Sequence, residues 1–412
     1  MKRIATVLLT GFLCFSVYSQ VDTSKSKFWM MTYFINGNDN VGARLAFTSD
    51  TTGAHWQKYN NEAAILPGGI TVSGANDARM RDPMIAYDSI NRKFNMVWTV
   101  SWTGTVIGWD TSRLLKSGTW GTQTGLGVGS SITNCAFSWA PEIFWDDIQS
   151  KWMIYWSVSI SGSTTRIYYS IIPGTDFRAF GTPAVLFNPG YDIIDADIIK
   201  AGTGDYQMFF KDERTGYKYI RRVSGATTPH GTYGTPTAYV AAASTEGPTV
   251  FRAGGQYCVI VDHYSNAGLG IVRSTDINTT TSPWPGDASR MVYNGTGTTL
   301  MYVSHCNVIE VPKMLVKWML YNDSAWVYYV RGTGVRDVNF VPLKNQNSNL
   351  NFYDAYFKMF NLSGRLMGVA QPAGADNVQS KSYVGHLPAG FYVKTAESKK
   401  GRSAAKELVQ QK

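Results

Sequence analysis

A short aromatic strand that recurs along the chain is the feature that most limits how it can fold. It appears as Phe28-Trp-Met-Met-Thr-Tyr-Phe34, Phe94-Asn-Met-Val-Trp98, Trp152-Met-Ile-Tyr-Trp156, Tyr206-Gln-Met-Phe-Phe210 and Tyr257-Cys-Val-Ile-Val261. Second strands ending in Ser/Thr/Asp turns follow, as in Ala43-Arg-Leu-Ala-Phe47 with Thr48-Ser-Asp50, Val106-Ile-Gly-Trp109 with Asp110-Thr-Ser112, and Gly270-Ile-Val-Arg273 with Ser274-Thr-Asp276. A unit that returns at intervals of roughly 50 to 65 residues reads as a propeller blade, a small antiparallel sheet that buries its faces only against its neighbours. The alternative is a long β-sandwich with accidental likeness between strands. Aromatics at 14%, 40 glycines and only 16% charged residues exclude a disordered chain and a helix bundle. The one long apolar run is N-terminal, which excludes a polytopic membrane protein.

Four units open on a strand holding an acid or its neighbour: Arg81-Asp-Pro-Met-Ile85, Trp139-Ala-Pro-Glu-Ile143, Ile194-Asp-Ala-Asp-Ile198 and Glu246-Gly-Pro-Thr-Val250. The first unit lacks one, while His305-Cys-Asn-Val-Ile-Glu310 has the pattern but no blade of its own. This last segment is expected to supply the missing innermost strand of the first unit. Ring closure of that kind removes exposed sheet edges. The expected fold is therefore all-β, a five-bladed β-propeller over residues 20–312.

The ends read differently. Lys2 and Arg3, the apolar run Ile4 to Val17 and the small-residue site Val17-Tyr18-Ser19 predict a secretory signal peptide over 1–19. Of the formal charge of +9, Lys2 and Arg3 carry +2 and the tail from Lys394 to Lys412 carries +4, so the body is left near +3 and carries no nucleic-acid footprint. Cys135, Cys258 and Cys306 are widely spaced and odd in number, and are expected to be free and buried. Residues 313–349 read as a linker or additional strands, with Val316-Lys-Trp-Met-Leu320 and Trp326-Val-Tyr-Tyr-Val330 as strand candidates. Residues 350–412 predict a small C-terminal β-sandwich-like module. Its Asn361-Leu-Ser-Gly-Arg365 turn, Leu387-Pro-Ala-Gly-Phe-Tyr-Val393 hairpin and basic tail resemble the sorting domains of type IX secretion cargo. A generic carbohydrate-binding or spacer sandwich is the alternative.

Innermost propeller strands converge on one axis, so carboxylates distant in sequence can meet there. Asp82, Asp195 and Glu246 open three such strands. Glycoside hydrolysis needs a general acid and a base or nucleophile on opposite sides of the sugar, and a third carboxylate can hold the acid's proton. At these residues the chain resembles glycoside hydrolase family 43, the five-bladed propeller furanosidases and xylosidases. The resemblance covers about residues 28 to 310, through the four opening strands and Phe209-Phe-Lys-Asp-Glu213. It implies Asp82 as general base, Asp195 as the orienting and pKa-raising acid, Glu246 as general acid, and inversion of configuration. One departure stands out: Ala196 follows the middle Asp where the family usually has Pro, and Asp192 and Asp197 lie beside it.

Further candidates are substrate-binding. Trp102 and Trp139 are suited to stacking on a sugar face, Glu142 to bonding sugar hydroxyls or an Arg from the matching position of the second unit, and Arg273 to the pocket wall. His305 is expected in the axial channel, where family members hold a water or a calcium ion. No cofactor is expected to be required, and the one metal expected is a structural calcium in that channel near His305. No H-E-x-x-H or G-x-S-x-G motif is present. The expected protein is a monomer, secreted or at the cell surface through secretion machinery engaged by its C-terminal segment. It is expected to release terminal arabinofuranosyl or related pentosyl units from plant cell-wall polysaccharide. A β-xylosidase, a galactofuranosidase or a non-catalytic glycan-binding propeller are the alternatives.

Overall fold

The computed structural model describes residues 21–237, 239–264, 268–286, 291–293 and 302–322, and the backbone of four short strands beyond them. Two compact units divide the chain, Met1–Leu320 and Tyr321–Lys412.

In the first unit five antiparallel blades follow one another. Blade one begins with β1 (Phe28–Ile35), β2 (Gly42–Thr48), β3 (His55–Lys58) and the short β4 (Leu66–Pro67). Blade two is β5 (Arg81–Asp88), β6 (Lys93–Thr99), β7 (Ile107–Ser112) and β8 (Thr124–Leu126). Blade three is β9 (Cys135–Asp146), β10 (Lys151–Ile160), β11 (Arg166–Ile172) and β12 (Ala184–Phe187). Blade four is β13 (Ile193–Gly202), β14 (Asp205–Asp212), β15 (Ile220–Ala226) and β16 (Tyr239–Ala241). Blade five is β17 (Thr245–Ala253), β18 (Gln256–His263) and β19 (Gly268–Ser274). Then β20 (Val292–Tyr293) runs parallel to β3, and β21 (Val303–Val311) pairs with β1 as the innermost strand of blade one. The ring closes as the sequence pattern predicts, with both ends of the domain in one sheet.

The recurring aromatic strands are the second strands of the blades, and their position explains their composition. Each has a blade strand on either side and a neighbouring blade against its faces. Trp29, Trp98 and Trp156 are buried to within 1% of full occlusion, as is Trp56 on β3. They knit blade to blade: Trp29 and Trp56 with Phe251 and Ile260, Trp156 with Trp109 and Phe177, Tyr206 and Phe210 with Tyr155 and Phe187. Truncating one such indole to Ala would cost about 3–5 kcal/mol.

A second repeat, finer than the blade, lies at the axis. Each innermost strand carries one residue in the left-handed region: Asp82 (φ 50°), Ala140 (φ 44°), Asp195 (φ 55°), Gly247 (φ 54°) and His305 (φ 25°). The ladder register slips next to all five, between Arg81 and Met84, Trp139 and Glu142, Ile194 and Asp197, Glu246 and Thr249, and Ser304 and Asn307. These are bulges, which re-aim side chains. For non-glycine residues such backbone costs about 1–3 kcal/mol each, so the surrounding ring must impose it.

Polar bonds stitch the inner strands across every blade junction. The Ala140 N–H donates to Thr99 Oγ1 at 2.8 Å, and the Asp195 N–H to Ser157 Oγ at 3.0 Å. The N–H groups of Gly247 and Val250 donate to Asp195 and Asp197 at 3.1 and 2.6 Å. Thr249 donates its hydroxyl to the Cys306 carbonyl, and His305 Nδ1 lies 3.3 Å from Asp82.

The segment after the ring differs from expectation. Val316-Lys-Trp-Met-Leu320 is not a strand but part of a helix, α1 (Lys313–Tyr321). Leu315, Val316, Trp318 and Met319 are its buried residues, and their i, i+1, i+3, i+4 spacing forms one helical face. Read alone, a short run with four apolar residues in five suggests a strand; Leu315 reveals the longer period. Trp318 lies beneath the Lys116 ammonium, 4.1 Å from its ring centroid.

In the second unit, β22 (Phe357–Phe360) pairs with β23 (Leu366–Ala370), and β24 (Phe391–Lys394) with β25 (Glu407–Gln410). Signal peptide 1–19, the strand candidate 326–330 and the remainder of the module expected at 350–412 lie outside the described residues. Cys135, Cys258 and Cys306 are free thiols, the last two fully buried and Cys135 half-buried.

Candidate active site

The five bulges all lie toward the same end of their strands, and two tiers of side chains result. Bulge residues Asp82, Asp195 and His305 form the upper tier, with Glu246 one residue before the bulge of β17. Two residues deeper, Glu142, Asp197, Thr249 and Asn307 form the lower tier.

In the upper tier, Asp82 accepts from the Thr99 hydroxyl at 2.7 Å and faces His305 Nδ1. Asp195 Oδ2 lies 4.0 Å from the same ring nitrogen. Burial would strip the proton from His305, but the carboxylates of Asp82 and Asp195 overcome it and push the imidazole up to about 10. Burial raises the Asp82 carboxyl, yet the His305 charge and its hydrogen bond, Arg81 and Thr99 together hold it below the usual value. Asp195 is pushed up to about 6, first by burial and then by the charges of Glu246 and Asp82, against His305 and Lys211. The structure thus separates two acids that look alike in sequence: Asp82 is held ionised and Asp195 holds its proton more tightly.

Glu246 accepts from Lys211 Nζ at 2.6 Å, and Lys211, only 4% exposed, also bonds Glu213 at 2.6 Å. Tyr264 lies 4.6 Å beneath the ammonium. Across the ladder, Asp262 is the register partner of Glu246 and accepts the His305 N–H at 3.2 Å. Burial, then the Glu246 charge, push Asp262 up to about 7. Sequence reasoning missed the roles of Lys211, Asp262, Thr99 and Ser157. The only available signal was Lys211 within Phe209-Phe-Lys-Asp-Glu213, because the others become neighbours through β-ladder register alone.

Among the acids near Asp195, geometry separates three positions. Asp192 accepts the Thr165 N–H at 2.7 Å in the loop before β13. Asp197 is a lower-tier residue bonded to the Val250 N–H. Asp195 occupies the bulge position that Asp82 occupies in blade two.

Two expectations are corrected. Glu142 does not match the acids of the other units; Ala140 holds that position, and Glu142 aligns with Asp197 below. It is 4% exposed, its Oε2 makes no hydrogen bond among the described residues, and burial with the nearby Asp197 charge pushes its carboxyl well above the ordinary range. A buried acid beneath the bulges is not placed to bind sugar hydroxyls, and no Arg pairs with it among the described residues. Arg273 is at the wrong end of its blade. Glu246 pairs across to Asp262 and on to Leu269, whereas Arg273 lies about 13 Å further along β19. Its Nε–H donates to the Thr52 carbonyl at 2.6 Å.

Trp102 and Trp139 do come together, edge to face with centroids 5.7 Å apart. Phe137 stacks on Trp139 at 3.6 Å, and the Trp139 indole donates to the Ser101 carbonyl. Trp102 is 45% exposed and lies 4.6 Å from the Arg81 guanidinium, next to Asp82 in sequence. An exposed aromatic wall therefore stands beside the upper tier.

The calcium expected near His305 is not matched by a donor set. Calcium takes six to eight oxygen ligands, and no group of three or more His, Cys, Asp or Glu among the described residues converges as cation ligands. His305 is instead engaged by Asp82 and Asp195, so no step below is routed through a metal.

His305 gives a prediction with a definite sign. Its folded-state value near 10 exceeds the ordinary 6.5, so the folded protein holds this proton more tightly. The stabilisation is fully present below pH 6.5 and is lost as pH rises to about 10, amounting to a few kcal/mol at most, on the order of one pKa unit per 1.4 kcal/mol. Urea denaturation from pH 6.5 to 9.5 should show stability falling with pH, and His305→Gln should flatten the slope. Parallel slopes in the two proteins would mean that His305 is not charged in the native ring.

A propeller whose axis gathers an ionised carboxylate, a second that holds its proton more tightly and a third acid beside an aromatic wall is built as a glycosidase. The family model described as "Probable glycosyl hydrolase domain", of the family related to glycoside hydrolase family 43, matches residues 25–311. The chain belongs to that family. No curated protein matches the sequence. Among solved structures the chain is similar to an alpha-L-arabinofuranosidase from Lactobacillus brevis, with 17% identity over 50% of this chain and 72% of that one, at a TM-score of 0.41. It is also similar to an arabinanase from Bacillus subtilis (17% identity, 55% and 81% covered, TM-score 0.41). An endo-arabinanase from Bacillus licheniformis gives 16% identity, 72% and 93% covered, and a TM-score of 0.38. At these values the likenesses carry no argument about substrate.

Proposed function

We propose that this glycosidase is an inverting exo-acting enzyme that releases terminal arabinofuranosyl, or related pentosyl, units from plant cell-wall polysaccharide. The observation that carries the proposal is the division of roles in the upper tier: Asp82 held ionised by His305, Asp195 pushed up to about 6. In this mechanism Asp82 takes a proton from water as the water attacks the anomeric carbon. Glu246 gives its proton to the departing glycosidic oxygen. Asp195 lies next to Glu246 through the Gly247 N–H and orients it. Lys211 bridges Glu246 and Glu213, so it remains paired with Glu213 when Glu246 carries its proton. Trp102 and Trp139 bind the sugar. The reaction as proposed uses only carboxylates and water.

A second reading, a propeller that binds glycan without cleaving it, is favoured by one observation, the 2.6 Å ion pair that engages Glu246. Assays on aryl arabinofuranoside, xyloside and galactofuranoside, with proton NMR of the first-formed sugar, decide between them. Turnover with inverted configuration is expected. A retained anomer would remove Asp82 as the base for water, and binding without any product would establish the second reading.

The protein is further proposed to be exported as a monomer after cleavage behind Ser19, with 350–412 addressing it to type IX secretion machinery. The support is the sequence pattern at the two ends. Intact mass of the exported protein, and export of a chain ending at 349, test it: normal export of the shortened chain would refute the sorting role.

A further inference from the structure

A groove of about 760 Å³ lies between the end of β12 in blade three and the turn and loop residues of blade four. One wall is the end of β12 and the loop after it, with Phe187, Asn188 and Tyr191; the other carries Arg214, Arg221 and Thr232. The mechanism above uses none of these residues.

Its distinctive chemistry is a pair of guanidinium groups on a single carboxylate. Asp212 is fully buried, and it accepts from Arg214 Nε and Nη2 at 3.0 and 2.6 Å and from Arg221 Nε at 2.7 Å. Arg221 Nη1 donates to the Thr237 carbonyl at 2.9 Å. Among the described residues this leaves Arg214 Nη1 and Arg221 Nη2 without acceptors, and one positive charge in excess of Asp212. The guanidinium plane of Arg214 is fixed between two rings, 3.8 Å from Tyr191 and 4.2 Å from Tyr217. Two guanidinium donors, the Tyr191 ring and the polar side chains of Asn188 and Thr232, all lining the groove, together match a sugar that bears a carboxylate. With the Arg214 fork already on Asp212, Arg214 Nη1 and Arg221 Nη2 would each give one charge-assisted bond to that group, a two-point contact shared by the two guanidinium groups.

The groove is also connected to the site. Asp212 follows Lys211 on β14, and alternate residues of a strand point to opposite faces. Lys211 reaches Glu246 on one side of blade four while Asp212 anchors the groove on the other. Arg214 belongs to the turn after β14, at the end of the blade where β13 begins and Asp195 lies.

We propose that this groove is a subsite for uronic acid residues, so that the polysaccharide engaged is an acidic one whose backbone lies here while a side-chain sugar enters the axial site. The inference rests on the glycosidase reading for that second clause only.

Calorimetry of the full chain at low salt with trigalacturonate, neutral galactotriose and inorganic phosphate tests it. Trigalacturonate is expected to bind at least about tenfold more tightly than galactotriose, and to weaken with added salt. Arg214→Lys and Arg221→Lys keep a cation on Asp212 but lose the outer Nη donor that would reach the ligand, and should each weaken binding about tenfold. Asn188→Asp, which leaves Asp212 and both Arg side chains untouched, should do so by repulsion and covers the case in which the Lys variants do not fold. Equal affinity for the acidic and neutral sugars, phosphate bound as tightly as trigalacturonate, or full affinity in Asn188→Asp would each overturn the uronate assignment. Wild-type turnover of aryl arabinofuranoside separates the two ideas. Turnover without trigalacturonate binding rejects the groove alone; trigalacturonate binding without turnover rejects the glycosidase mechanism alone.

Discussion

Asp82→Asn should abolish hydrolysis of both polysaccharide and activated aryl glycoside, with a loss of about 1,000-fold or more. Asn fills the same space and can still accept from the Thr99 hydroxyl, so the bulge at β5 should persist. What disappears is the ability to take a proton from water, a step that no leaving group can relieve. A general base contributes about 100- to 10,000-fold, and here it sets up the nucleophile itself. The same substitution removes the carboxylate 3.3 Å from His305, so its imidazole should lose its proton at lower pH than in the wild type. Measuring kcat/KM on both substrate types, with imidazole titration by NMR, separates chemistry from misfolding. A folded Asp82→Asn protein with near-normal rates would assign the base elsewhere.

Glu246→Gln should behave differently on the two substrates. Gln cannot donate a proton to the leaving oxygen, so release from natural linkages should fall by a factor of about 100 or more. Aryl glycosides whose leaving groups need little protonation should lose much less. The substitution also frees Lys211 from one of its two carboxylates while leaving the other, so the ammonium stays neutralised by Glu213. The fold should therefore be little affected. Equal losses on both substrates would contradict the acid role and leave Glu246 as a binding group, the outcome that the glycan-binding reading requires.

Much of this architecture was legible in the chain itself. Aromatic second strands recur because each is enclosed within its blade and against the next, and only large apolar side chains fill that space; the spacing of Phe94–Trp98 and Trp152–Trp156 shows it directly. Ring closure by His305–Glu310 was legible because the first unit lacks an innermost strand and this segment lacks a blade. Local periodicity failed at 316–320, where a short apolar run reads as a strand although Val316, Trp318 and Met319 join Leu315 on one face of α1.

The site was only half legible. Sequence determined which blade each acid stands on, since the short motifs around Asp82, Asp195 and Glu246 mark the opening of three inner strands. It did not determine the tier, because a bulge shifts the register by one residue and a motif match does not show it. Glu142 was misplaced for that reason. Nor did it distinguish the two ends of a blade, which is why Arg273 was set in a pocket that it does not reach. Tertiary structure alone decided the electrostatics. His305 meets Asp82 and Asp195, and Lys211 meets Glu246, only when the ring closes. A carboxylate's affinity for its proton depends on charges a few ångströms away and on the water that burial removes. Those distances exist only between blades.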